Sequence, residues 1–310
     1  MRLQLTKIAQ LLGHNAPIYA LSRFKQPHTF LSGGSDGYLV SWDLQNLPDG
    51  RLEMRVEGCI FCIDFFPERN WAAVGTMQGG IYWLDLEKNC LISQQFAHEK
   101  GVFSLKFIQN RLFSCGADGC LSVWDLDTQK RQETLHISPQ TLRNFVHLEE
   151  KNQLIVGASG GNMYVIDTTD FSLKNIIPQA HNQSIFSLFY DPKRAQIWTG
   201  GRDAYLKCWK NAPLDVNELP NCLFSEPAHL FCINSITANP SLELLATASR
   251  DKTVRIWDMN SQQLLKSVDL VKNGGHLRSV NSLLWANNEL LISASDDKSL
   301  IVWEIKPVQV

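Results

Sequence analysis

Several features that would settle a function quickly are missing from this sequence. No apolar run reaches the ~18–20 residues of a membrane-spanning helix, and no window of about 11–18 residues keeps a helical apolar stripe. An excess of one charge is missing too: 29 Lys and Arg stand against 31 Asp and Glu, for a formal net charge of −2. Without a basic excess or a basic run, bulk attraction to nucleic acid is not expected. The opening MRLQLTKIAQLLG lacks the continuous apolar core of a secretory signal. Cysteine is present at 59, 62, 90, 115, 120, 208, 222 and 232, but no second C-x-x-C accompanies Cys59 and Cys62 to complete a zinc site. On a strand, residues three apart also face opposite sides. Scattered cysteines acting as small hydrophobes point to a reducing compartment, and a cytoplasmic location is expected. The glycine clusters at 33–37, 79–80, 116–119 and 157–161 open no helix, which argues against a phosphate-cradling loop.

What the sequence does hold is a repeat, the signal to seek before any other. The stretch TASRDKTVRIWD at 247–258 carries a hydroxyl residue, an Asp four residues on and a Trp six further on. Ser32, Asp36 and Trp42 keep this spacing, as do Ser114, Asp118 and Trp124; Thr199, Asp203 and Trp209; and Ser293, Asp297 and Trp303. Two weaker copies, GTMQGGIYWLDL and GASGGNMYVIDT, put Leu84 and Ile166 at the Trp position and Gln78 and Gly160 at the Asp position. The markers then fall at 42, 84, 124, 166, 209, 257 and 303, in steps of 40 to 48 residues. That is the length of one four-stranded propeller blade. Each period reads as four short strands bounded by turn residues; in the sixth they are CINSITAN, LLATASR, TVRIWDM and QLLKSVDL. The expected fold is all-β, a closed seven-bladed β-propeller of four-stranded antiparallel blades, as a single domain over residues 1–310. The frame is offset. Only EIKPVQV follows Trp303, so residues 3–10, LQLTKIAQ, are expected to pair into the last blade and close the ring, leaving no long open edge.

A histidine precedes each strong copy, always after Gly or Ala. The five sets are His14, Ser32, Asp36 and Trp42; His98, Ser114, Asp118 and Trp124; His181, Thr199, Asp203 and Trp209; His229, Thr247, Asp251 and Trp257; and His276, Ser293, Asp297 and Trp303. An indole only donates, a hydroxyl and a neutral imidazole do both, and a carboxylate only accepts. The four can therefore form a chain. A net hydrogen bond is worth about 1 kcal/mol, whereas a stranded buried partner costs about 1–3, so such a network should be complete or absent. The weak copies follow this rule. Blade two has Cys59 or a neighbour, Val74, Gln78 and Leu84; blade four has a position near His136, then Val156, Gly160 and Ile166. Hydroxyl, Asp and Trp are lost together. The pattern closely resembles the WD-repeat family over essentially the whole chain. The resemblance implies a structural hydrogen-bonded chain of these four residues inside each blade. His, Ser and Asp also invite a catalytic triad, but a triad needs one activated nucleophile beside an oxyanion hole. Five copies with Thr allowed and Trp added read as structural, and no catalytic residue, cofactor or metal is expected.

Function must be sought at a site, because the fold does not supply it. The first strand of each blade runs nearest the axis, so its opening residues should rim the top of the channel. Aligning PIYAL, CIFCI, GVFSL, TLRNF, SIFSL, CINSI and SVNSL gives Tyr19, Phe61, Phe103, Arg143, Phe186, Asn234 and Asn281. Some WD-repeat readers of peptide tails use matching positions to grip an arginine or lysine between rings. Here the resemblance implies the same chemistry, worth about 0.5–2 kcal/mol. The plainer alternative is packing between blades. The residues before each turn Asp also belong to the top: Ser35, Met77, Ala117, Ser159, Arg202, Arg250 and Asp296. Arg202 and Arg250 are consecutive, with Arg143 and Arg278 expected nearby. A basic sector beside an aromatic mouth would suit an acidic or phosphorylated peptide, against the plainer reading of a solvated rim. Residues 210–228, KNAPLDVNELPNCLFSEPA, read as the longest irregular segment: a lid, a second contact surface or tolerated length. The expected function is a non-enzymatic protein–protein interaction scaffold, a monomeric ring working alone or in a larger complex, that binds a peptide or protein segment at its top face and channel mouth. The alternative is a propeller enzyme or small-ligand protein with a site in the channel; the seven rim positions, lacking His, Asp and Glu, count against it. Direct contact with nucleic acid or membrane is not expected.

Overall fold

The computed structural model describes residues 3–210, 221–241 and 243–308. Seven four-stranded antiparallel sheets follow one another along the chain, each in the order a–b–c–d. Blade one shows the plan: strand a is Ile18–Arg23, b is Thr29–Gly34, c is Tyr38–Asp43 and d is Gly50–Arg55. The other a strands are Ile60–Phe66, Val102–Ile108, Leu142–Leu148, Ile185–Asp191, Ile233–Ala238 and Val280–Trp285. Each touches the a strand of the next blade, and the last touches the first, so the seven form a closed inner ring.

Burial explains the composition of each strand. Strand b is covered on both faces, as in FLSGG of blade one and LLATAS of blade six, because every sheet is packed between two others. Small residues at its end let blades approach closely. At Gly33 an added Cβ would lie 2.5 Å from Ile60 Cγ2 of the next blade. Strand d is the outer edge and stays largely polar, as in GRLEMR. The apolar core sits in the seams. Between blades six and seven, Ala246, Val254 and Ile256 pack with Leu283, Trp285, Leu291 and Trp303. Each large buried side chain contributes about 1.5–3 kcal/mol, so the ring is held mainly by these interfaces.

The ring closes as expected, through the N-terminal strand. Leu3–Leu12 pairs antiparallel with Ser299–Pro307, from Leu3 opposite Pro307 to Leu12 opposite Ser299, with a bulge between Lys7 and Ala9. The expectation for 210–228 needs correction. Cys222–Pro227 forms strand d of blade five and pairs with Tyr205–Lys210. An outer strand has no need of apolar alternation, and this one is anchored by Phe224, whose ring lies 5.8 Å from Trp198 and 6.4 Å from Trp257. The remainder of that expectation, residues 211–220, lies outside the described residues.

Candidate functional site at the channel mouth

Each a strand slips by one residue against its b strand. The slips fall between Ile18 and Ala20, Ile60 and Cys62, Val102 and Ser104, Leu142 and Asn144, Ile185 and Ser187, Ile233 and Ser235, and Val280 and Ser282. The skipped residues are Tyr19, Phe61, Phe103, Arg143, Phe186, Asn234 and Asn281. A bulge leaves its extra residue unpaired and re-aims the side chain. Here all seven half-buried side chains line one cavity of about 420 Å³.

Around this mouth the side chains touch from blade to blade. Tyr19 meets Phe61 edge-on at 5.3 Å, and Phe61 stacks on Phe103 at 5.4 Å. The Arg143 guanidinium lies 4.4 Å from the Phe103 ring centre and 5.4 Å from that of Phe186. Asn234 donates to Val280 O at 2.9 Å, and Asn281 donates to Ile18 O at 3.0 Å, each reaching the following blade. These positions therefore pack across seams and line the cavity at once. The residues before the turn Asp share their face. The Ser35 N–H donates to Pro17 O, that of Arg202 to Ser184 O and that of Arg250 to Cys232 O, each acceptor two residues ahead of a rim residue. Arg202, Arg250 and Arg278 are exposed, and none has a carboxylate partner among the described residues.

Beside the mouth, inside the blades, run the five polar chains. Trp42 Nε1 donates to Ser32 Oγ at 2.8 Å, Ser32 Oγ meets His14 Nε2 at 2.8 Å, and His14 Nδ1 lies 3.1 Å from Asp36. The same order links Trp124, Ser114, His98 and Asp118; Trp209, Thr199, His181 and Asp203; Trp257, Thr247, His229 and Asp251; and Trp303, Ser293, His276 and Asp297. Asp can only accept, so the proton is assigned to Nδ1, and Nε2 then accepts from the hydroxyl. Burial pushes the Asp118 carboxyl up, but the hydrogen bond and charge of His98 and the backbone N–H groups of Cys120 and Glu99 outweigh it and hold the group at about 2. Asp36, Asp203, Asp251 and Asp297 are lowered by the same opposition. Burial lowers His229 against the pull of Asp251.

Blades two and four use a different tie, one that the sequence pattern did not expose. Tyr82 and Tyr164 stand across from Val74 and Val156 on strand c. The Tyr82 hydroxyl donates to Glu57 O at 3.1 Å, and that of Tyr164 to Ser138 Oγ at 3.2 Å. Val56 and Ser138, one a neighbour of Cys59 and the other two residues from His136, stand where the other blades carry histidine, and Glu57 O follows directly after Val56. The signal was present as Tyr two residues before Leu84 and Ile166.

One further pair invites a catalytic reading. Cys120 Sγ lies 3.1 Å from His136 Nδ1. Burial and then the Asp118 charge push this thiol up to about 11, which suppresses the thiolate a nucleophile needs.

The ring, the polar chains and the repeat length define a class, and comparison with known proteins agrees. Residues 5–43, 89–125, 220–258 and 268–304 match the model of the WD domain, G-beta repeat. The chain belongs to the WD-repeat family and is a seven-bladed propeller. Strands a to c of both blades that lack the polar chain lie outside the matched segments, as do those of blade five, which has it. Protein HIRA of Dictyostelium discoideum is 33% identical over 140 residues, 41% of this chain and 13% of that protein. Nuclear distribution protein nudF of Aspergillus niger is 26% identical over 269 residues, 79% of this chain and 59% of that protein. Protein tipD of Dictyostelium discoideum is 24% identical over 309 residues, 94% of this chain and 48% of that protein. The chain thus spans 13% to 59% of the length of these relatives.

Proposed function

We propose that this chain is a non-enzymatic interaction scaffold that binds a segment of another protein across its top face and channel mouth. The observation that carries this reading is the set of seven bulges, which turn side chains of unlike chemistry into one open mouth of about 420 Å³. Arg202 and Arg250, without a carboxylate partner among the described residues, suit a segment bearing acidic or phosphorylated residues, since a guanidinium matches carboxylate and phosphate geometry. Catalysis by the His–Ser–Asp sets is disfavoured because each hydroxyl is buried and already engaged by a Trp N–H and an imidazole. The eight free thiols fit a reducing, cytoplasmic setting. An array of acidic, phosphorylated and neutral peptides tests the reading. Arg202→Glu combined with Arg250→Glu should weaken binding of the acidic and phosphorylated peptides about tenfold or more at low salt. Unchanged binding would move the contact surface elsewhere.

A further inference from the structure

The rings at the mouth are arranged to hold a cation, and the chain already supplies one. Arg143 sits against Phe103 and Phe186, with its guanidinium 4.4 and 5.4 Å from the ring centres. Its Nε donates to Ser159 Oγ at 3.0 Å. Among the described residues no carboxylate pairs with it. The lining of the cavity contains no Asp, Glu, Lys or His, so Arg143 is the one formal charge on its wall. Just below the rim, at the next residue of five of the seven a strands, stand Ser104, Asn144, Ser187, Ser235 and Ser282, hydroxyl and amide groups lining the same space; Asn144 and Ser187 also donate to Phe186 O and Ile233 O at 3.4 Å. Burial lowers the Arg143 pKa; Cys115 acts against this and the neighbouring charge of Arg202 acts with it. An unpaired ion in a half-buried site attracts a counter-ion more strongly than one in water, and the planar guanidinium fork fits two oxygens of one anion.

We propose that the channel mouth is a receptor for a single anionic group, carboxylate or phosphate, seated on Arg143 with these hydroxyl and amide groups beneath it. The aromatic arc is then an apolar collar around that group. It does not serve as a cage for an incoming arginine or lysine, because Arg143 fills that slot from inside. The proposal rests on the top-face reading only for one source of the anion, an acidic side chain of a docked segment. A free small anion is the other source and uses the same chemistry.

The test titrates the full chain by calorimetry with inorganic phosphate, with glutarate, and with three matched heptapeptides carrying a central glutamate, phosphoserine or arginine. The glutamate and phosphoserine peptides should bind at least tenfold tighter than the arginine peptide. Arg143→Gln should weaken every anionic probe that binds by at least tenfold, with an unchanged melting temperature showing that the ring is intact. If that variant does not fold, Arg143→Lys keeps the charge without the fork and should still lose affinity. Saturable binding of phosphate or glutarate identifies a small-anion site; binding of the peptides alone identifies a side chain as the source. Arg202→Gln with Arg250→Gln should weaken the peptides and spare phosphate and glutarate, which separates failure of the docking surface from failure of the receptor. Preference for the arginine peptide, no anion binding in any arm, or anion binding indifferent to Arg143→Gln would overturn the proposal.

Discussion

At the scale of single residues, the polar chains are all-or-none devices. Ser114 accepts from Trp124 at 3.0 Å and meets His98 at 2.9 Å, with all three side chains buried. Ser114→Ala strands both partners and should cost about 1–3 kcal/mol for each stranded group. Trp124→Phe on top of it should cost less than the two single changes added together, because the partner is already lost. Urea denaturation of the two single variants and the double variant measures this; strict additivity would mean that the groups do not act as a chain. The same residues set the response to acid. Asp118 is held at about 2, against ~3.9 in an unfolded chain. Below pH ~4 the unfolded state therefore takes up protons that the folded state refuses, and stability is lost as pH falls. His229, lowered by burial, acts in the same direction earlier, as the unfolded imidazole begins to charge near pH ~6.5. Melting temperature should fall gently from pH 7 to 5 and steeply below 4, and Asp118→Asn should flatten the lower limb. A melting temperature constant from pH 7 to 3 would contradict this assignment.

At the scale of strands, Leu3–Leu12 is the piece whose loss should matter most. Deleting residues 1–10 bares the Ser299–Pro307 strand along most of its length, and an exposed strand edge invites association. The truncated protein should elute as aggregate or melt well below the intact chain; a monomer with an undiminished melting temperature would contradict closure by this strand. The role of this strand was legible because the count of strands after Trp303 came up one short. The positions of the rim residues were legible for the same reason: a fixed period aligns one strand a per blade. The bulges were not legible, since the residues of PIYAL or CIFCI carry no mark of a one-residue slip, which belongs to the pairing and not to either strand. Strand Cys222–Pro227 was hidden because CLFSEP runs its apolar residues together without alternation and ends in proline, and Phe224 gains its anchors only when Trp198 and Trp257 arrive from distant positions. The seating of Arg143 between Phe103 and Phe186 was equally out of reach, because three blades must close before those rings face one another.

At the scale of the whole molecule, near-neutral net charge conceals an uneven top face. Blades five to seven carry Arg202, Arg250 and Arg278 together with Leu230, Phe231 and Leu277, which are 82%, 58% and 61% exposed. Before the turn, blades one to three present Ser35, Met77 and Ala117, with Met77 55% exposed, and blade seven presents Asp296. A bound segment would therefore meet its arginine contacts on one side of the axis. The pairing of Leu3 with Pro307 has a separate consequence for how the protein is made. Of the strands in the ring, Leu3–Leu12 is translated first, yet its partner leaves the ribosome last. At roughly 5–20 residues per second, the wait is about 15–60 s. During that interval the nascent chain holds a strand with no mate, and Lys7 with the polar Gln4, Thr6 and Gln10 should help to keep it in solution until Ser299–Pro307 emerges.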